Sequence, residues 1–178
     1  MDEGLPPLEM REGRVDQLAD ACLRDAGPRG QRGSACFTLG EFHLVGFGVP
    51  RDVWASYRLK ERGCEVFGHG ACCHDVARFK WGGLRRRTRI DPSKIDPEAP
   101  EEVAAVAREL SGTEEIGGTA EARVEAMGEL RRACHRRGYA RSCGLLAEYQ
   151  LRGEPGAGDR REALPLLEKA CKGEAAEA

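Results

Sequence analysis

At 178 residues the chain can form one domain with a sizeable core, or a short array of small units. Its 28 basic and 30 acidic residues leave a formal net charge of −2, which argues against a strongly basic nucleic-acid binder. No apolar run approaches the roughly 18–20 residues that cross a bilayer, so no membrane span is expected.

Residues 1–14 mix acidic and basic side chains around Pro6 and Pro7, lack the apolar stretch of a secretory signal, and predict a flexible N-terminus. Residues 15–27 read as a half repeat, the second helix of a pair whose first is missing, with Ala21-Cys22 near its end. Residues 33–67 form the first full unit. Its first helix, Gly33–Val45, places Cys36, Leu39, Gly40 and His43 on one face, with His43 in a core aromatic slot. Gly46-Phe47-Gly48-Val49-Pro50 breaks it, and Asp52 caps a second helix carrying Val53, Ser56, Tyr57, Lys60 and Cys64.

The second unit, 68–137, has its helices at Gly68–Gly82 and Thr119–Arg137, separated by an insertion over 84–117. The insertion opens with the basic run Leu84–Arg89, continues through a proline-marked linker from Asp91 to Pro100, and carries an amphipathic helix at Glu101–Ser111. It reads as a tolerated surface loop more than as a binding face. The third unit, 138–172, pairs Tyr139–Arg152 with Glu162–Cys171 across a glycine-rich turn and an Asp159 cap. Pro165 lies inside that last helix and costs it a backbone bond unless the helix kinks. Residues 173–178 are a tail.

Eight cysteines in a chain with no visible export signal need an explanation, and their phase supplies it. Cys36 to Cys64 and Cys143 to Cys171 are both 28 positions, and other residues recur in step. Leu39, Val76 and Leu146 follow the first-helix cysteine, each with a small residue after it: Gly40, Ala77 and Ala147. Gly46, Gly83 and Gly153 recur at the helix end, and Gly63, Ala133 and Ala170 precede the second-helix cysteine. This is an internal repeat of two helices, and one such pair cannot bury its apolar faces alone. The expectation is an all-α fold: a short right-handed α/α superhelix of antiparallel pairs. Zinc is the rival use of cysteine, but Cys72-Cys73-His74 and Cys134-His135 lack the second tight pair of a structural site. No metal or cofactor is expected, and no cysteine is marked as an activated thiol.

The pattern Leu39-Gly40, His43, Gly46, Gly48-Val49, Asp52, echoed by Leu146, Gly153, Asp159, Ala163, Leu167, Lys169 and Ala170, resembles the Sel-1-like repeat, a relative of the tetratricopeptide repeat. The cysteines at both helix positions resemble the Helicobacter cysteine-rich protein subfamily, in which one disulfide bridges each helical pair. The resemblance covers about Val15–Lys172 without the insertion. His43 and Gln150 stand where that pattern has an aromatic, Pro155-Gly156 replaces Gly-Val, and the middle turn is lost. Carried over by slot, it implies the bridges Cys36–Cys64, Cys73–Cys134 and Cys143–Cys171, leaving Cys22 and Cys72 over. The first and third would each contribute about 3–4 kcal/mol through chain entropy.

Three functions are open. The resemblance implies a binding scaffold whose concave helical surface grips a protein or peptide, with Glu41, Arg78 and Glu148 sharing one slot that could line the groove. Taken singly, each of these reads as an ordinary solvated charge. The subfamily also puts penicillin binding or weak β-lactamase hydrolysis in view, but Ser-x-x-Lys and Gly-x-Ser-x-Gly are absent and His43, His69, His74 and His135 are scattered. Nucleic-acid contact through Arg85–Arg89 lacks an aromatic stacking platform and is not expected. A monomer is expected. Disulfides imply a periplasmic or secreted protein, or the mitochondrial intermembrane space in a eukaryote, whereas the missing signal implies the cytoplasm. The arginine-, alanine- and glycine-rich composition fits a GC-rich bacterial genome.

Overall fold

A computed structural model describes residues 8–24, 27–87 and 113–177. Seven helices are formed by the described residues: α1 (Leu8–Leu23), α2 (Arg29–Val45), α3 (Val53–Glu65), α4 (Gly70–Gly82), α5 (Ala120–Arg131), α6 (Ala140–Arg152) and α7 (Ala163–Glu177). They pack sequentially, each chiefly on the helix before and after it. No helix among the described residues is long and apolar enough to cross a membrane.

Local chemistry sets most of the boundaries. The Asp52 carboxylate accepts from the backbone N–H groups of Trp54 and Ala55 and starts α3. Thr119 starts α5 in the same way through Ala122 N–H. Gly46 and Gly153 end α2 and α6 in the left-handed region, at φ 78° and 70°, which explains glycine at that recurring slot. A 3-10 turn at Arg160–Glu162 leads into α7 from the Asp159 cap. Pro165 lies inside α7 as expected but in its first turn, where a missing N–H costs little and no kink is needed.

Other boundaries depart from expectation. Helix α1 begins at Leu8, inside the stretch expected to be flexible, and α7 runs through the expected tail to Glu177. The insertion closes on a two-stranded antiparallel ribbon, β1 (Leu84–Arg87) paired with β2 (Thr113–Ile116), with Leu84 opposite Ile116 and Arg86 opposite Glu114. The rest of the basic run, the proline linker and the expected helix at 101–111 lie outside the described residues.

The core is a series of three clusters along the chain. Cys22, Ala35, Cys36, Leu39 and Leu59 form the first; Tyr57, Cys64, Cys72, Cys73, Val76 and Ala133 the second. The third spans α4 to α7 and includes Met127, Leu130, Cys134, Cys143, Leu146 and Leu166. Each cluster contains one disulfide.

The bridges correct the pairing implied by the resemblance. Cys22–Cys36, Cys64–Cys73 and Cys134–Cys143 are bonded, with Cα atoms 4.9, 4.7 and 4.8 Å apart. Cys72 is free and buried, and Cys171 is free and exposed, so Cys22 takes the place expected of Cys171. The staples join the second helix of one unit to the first helix of the next, not the two helices of one unit. Helical rotation explains this. A Cβ at Gly63 would lie 2.5 Å from Cys72 Sγ on α4 and 3.1 Å from Cys36 Cβ on α2, so position 63 faces the gap between the two helices. Cys64 is about 100° further round the helix and faces α4. Closing loops of 9 residues at two bridges and 14 at the other, they are worth about 2.6–3 kcal/mol each by chain entropy, less than the long-loop pairing would give.

Candidate functional site

Helix α5 does not end cleanly. It runs on into a π-helical turn at Arg132–Arg136, a distortion that often accompanies functional sites. Lys169 Nζ on α7 donates to the Cys134 carbonyl at 2.8 Å, and Tyr139 N–H reaches the Ala133 carbonyl at 3.0 Å. With the ladder opened this way, arginines are turned to one side of the turn and His135 to the other.

On one side lies a cavity of about 290 Å³ lined by Cys64, Glu65, Gly68, Cys73, Glu129, Arg132, Arg136 and Arg137. The Cys64–Cys73 disulfide forms part of its wall. Glu129 is buried, and its Oε1 pairs with Arg132 and lies 3.8 Å from Lys80 Nζ. Arg136 and Arg137 are exposed and have no ion-pair partner among the described residues. On the other side His135, Arg161, Glu162, Pro165, Leu166 and Lys169 line a second cavity of about 490 Å³.

A separate charge cluster lies between α2, α3 and α4. Lys60 is 1% exposed, pairs with Glu41, and places Nζ 2.5 Å from Asp75 Oδ2. Its ammonium also stands 5.1 Å from the Phe37 ring centre and 5.8 Å from that of Phe79. A Cβ at Gly40 would come within 3.1 Å of the Lys60 stem, so the small residue at this slot makes room for a long one across the helix pair. The Cys72 thiol lies nearby, and burial pushes it up to about 12, so it is an inert thiol at neutral pH.

The expected groove residues have separate fates. Glu41 is committed to Lys60, Glu148 pairs with Arg152 one turn along α6 at 2.5 Å, and Arg78 is exposed on α4. No ion pair joins any two of these three. The histidines are equally dispersed. His43 is not in the core clusters: its Nδ1 lies 3.3 Å from the Pro50 carbonyl at the end of α2. His69 precedes α4, with Nε2 3.3 Å from Ser34 Oγ. His74 Nδ1 lies 3.1 Å from Ser142 Oγ, a serine–histidine contact in which the serine is fully buried and unable to meet a substrate without local opening. Burial pushes both His69 and His74 below the ordinary imidazole range.

No family model matches the chain, and no curated protein matches it. What stands is a cysteine-rich all-helical protein of seven described helices in paired packing with three disulfides.

Sequence reasoning missed the arginine cavity because its members come from α3, α4, α5 and the π turn, and only Cys64 and Cys73 belong to a recurring slot. The run Arg131-Arg132 … Arg136-Arg137 was the available signal, four arginines around Cys134. It was overshadowed by the longer run at 85–89.

Proposed function

We propose that this chain is a Sel-1-like repeat protein, a short right-handed α/α solenoid that serves as a scaffold for a protein or peptide partner. Sequential pairwise packing, the three-part core and the use of the repeated Leu, small-residue, Gly and Asp slots as core, close-approach, stop and cap positions support the architecture. The partner is one that presents carboxylates. The observation that carries this is the arginine cavity, where Arg136 and Arg137 are exposed, have no ion-pair partner among the described residues although Glu65 and Glu129 share the lining, and can each offer a bidentate fork.

An acetylated hexaglutamate peptide, titrated at low and physiological salt, tests the reading. Binding should weaken as salt rises, and Arg136→Ala with Arg137→Ala should weaken it at least about tenfold while far-ultraviolet circular dichroism stays unchanged. Equal affinity of the double variant would overturn it.

A further inference from the structure

The arginine cavity has a feature that peptide binding does not use. The polar contact of the buried Glu129 Oε2 is Cys64 Sγ at 3.5 Å. That sulfur carries no hydrogen while it is bonded to Cys73, so the carboxylate oxygen faces an atom that cannot donate to it. Cys64, Cys73 and Glu129 bring their donor atoms within 4.8 Å of one another, and they are the one group of three such donors among the described residues. Each comes from a different helix: Cys64 from the last turn of α3, Cys73 from the first turn of α4 and Glu129 from α5.

We propose that, once a dithiol reductant opens the Cys64–Cys73 bond, Cys64, Cys73 and Glu129 form a binding site for Zn²⁺. The geometry is close to what the metal requires. A zinc ion about 2.3 Å from a thiolate and about 2.0–2.2 Å from a carboxylate oxygen, at tetrahedral angles, sets sulfur and oxygen about 3.5–3.7 Å apart. The Cys64–Glu129 pair already stands at 3.5 Å. The two sulfurs must part, to about 3.8 Å, and Cys73 Sγ and the Glu129 oxygen, within 4.8 Å of each other, must settle at the same sulfur–oxygen spacing, which side-chain rotation allows with the cysteine Cα atoms 4.7 Å apart. The cavity lined by all three side chains admits the ion and leaves room for a water at the fourth position.

The chemistry balances. The dithiol gives two electrons and two protons to the protein disulfide and becomes a disulfide itself, leaving two cysteine thiols. Zinc then displaces both thiol protons to solvent and binds two thiolates and the carboxylate. Their three negative charges exceed the ion's two positive ones by one, which Arg132 on Glu129 Oε1 offsets. Soft sulfur ligands favour zinc over magnesium or calcium. The oxidised protein holds a staple here and the reduced protein a metal, so the same three residues serve either redox state.

The test uses the full chain, reduced with dithiothreitol, freed of reductant under nitrogen and titrated with Co²⁺ and then Zn²⁺. One cobalt per chain should bind with a thiolate-to-metal charge-transfer band, and zinc should displace it. The oxidised protein should show no such band. Glu129→Gln keeps both thiols and should weaken cobalt binding at least about tenfold, since loss of an outer-shell partner alone costs about 10–100-fold. Cys64→Ser with Cys73→Ser should abolish the band, and Cys134→Ser with Cys143→Ser should retain it. No cobalt binding by the reduced chain, an unchanged affinity in Glu129→Gln, or a band that survives loss of Cys64 and Cys73 would each overturn the proposal. The peptide titration reads Arg136 and Arg137 and can fail independently.

Discussion

Glu41→Gln combined with Asp75→Asn leaves the Lys60 ammonium, 1% exposed, without a counter-charge. At 2.5 Å and an effective dielectric of about 20, the Lys60–Asp75 attraction is roughly 7 kcal/mol before desolvation is subtracted. Removing the partners of a buried charge typically costs about 3–5 kcal/mol net, because the remaining ion stays out of water unpaired. The two acids do not share this equally. Asp75 is 20% exposed and Glu41 42%, so Glu41 is better screened and its single substitution should cost about 1 kcal/mol or less. Asp75→Asn should cost more, and the double variant about 3–5 kcal/mol, or roughly 6–20 °C in Tm for a chain of this size. Urea unfolding reads the change as a lower midpoint at constant slope. Adding Lys60→Met to the double variant should restore most of the loss, since an apolar side chain of similar length fits the Phe37–Phe79 slot without needing a counter-charge. A double variant within about 1 kcal/mol of the native protein, or a triple variant no more stable than the double, would refute the reasoning.

Two further outcomes follow from the thiols and the histidines. Non-reducing peptide mapping should recover Cys22–Cys36, Cys64–Cys73 and Cys134–Cys143, and iodoacetamide at pH 8 should label Cys171 in the folded protein and Cys72 only after denaturation; recovery of Cys36–Cys64 would contradict the inter-unit staples. His69 and His74 are pushed down chiefly by burial, with Arg78 and Arg141 adding to the effect at His74 and Asp75 opposing it. The unfolded chain therefore binds protons that the folded one refuses as pH falls below about 6.5, so stability should decline there. His69→Gln with His74→Gln should flatten that decline in denaturation curves taken at pH 7 and pH 5; an unaltered slope would show that other groups carry it.

Much of the fold was legible because it rests on local chemistry. Helix stops at Gly46 and Gly153, caps at Asp52 and Asp159, and the core phase of Leu39, Val76 and Leu146 are short-range signals that one sequence carries. The recurrence of small residues at Gly40 and Gly63 also foretold close approach, and both lie against neighbours that a larger side chain would strike. The cysteine pairing was misread for a definable reason. Spacing gives the register of a cysteine along its helix, whereas pairing depends on the direction its side chain takes around the axis: position 63 lies between Cys36 on α2 and Cys72 on α4, while Cys64, one residue on, is turned onto Cys73. The arginine cavity and the Cys64–Cys73–Glu129 cluster were hidden for the same kind of reason. Glu129 is 65 positions from Cys64, and nothing in its local sequence marks it as buried.

By itself, then, the sequence determined most of the helices, those limits set by a local cap or glycine stop, and the small and apolar slots through which neighbours meet, since backbone hydrogen bonding and side-chain periodicity act over a few residues. Only the tertiary structure decided which cysteines bond, where Lys60 is neutralised and which charges are left facing a cavity. Those outcomes depend on the azimuth of side chains from three helices meeting at one point, and an ångström or two in their approach separates a bond from a mere neighbour.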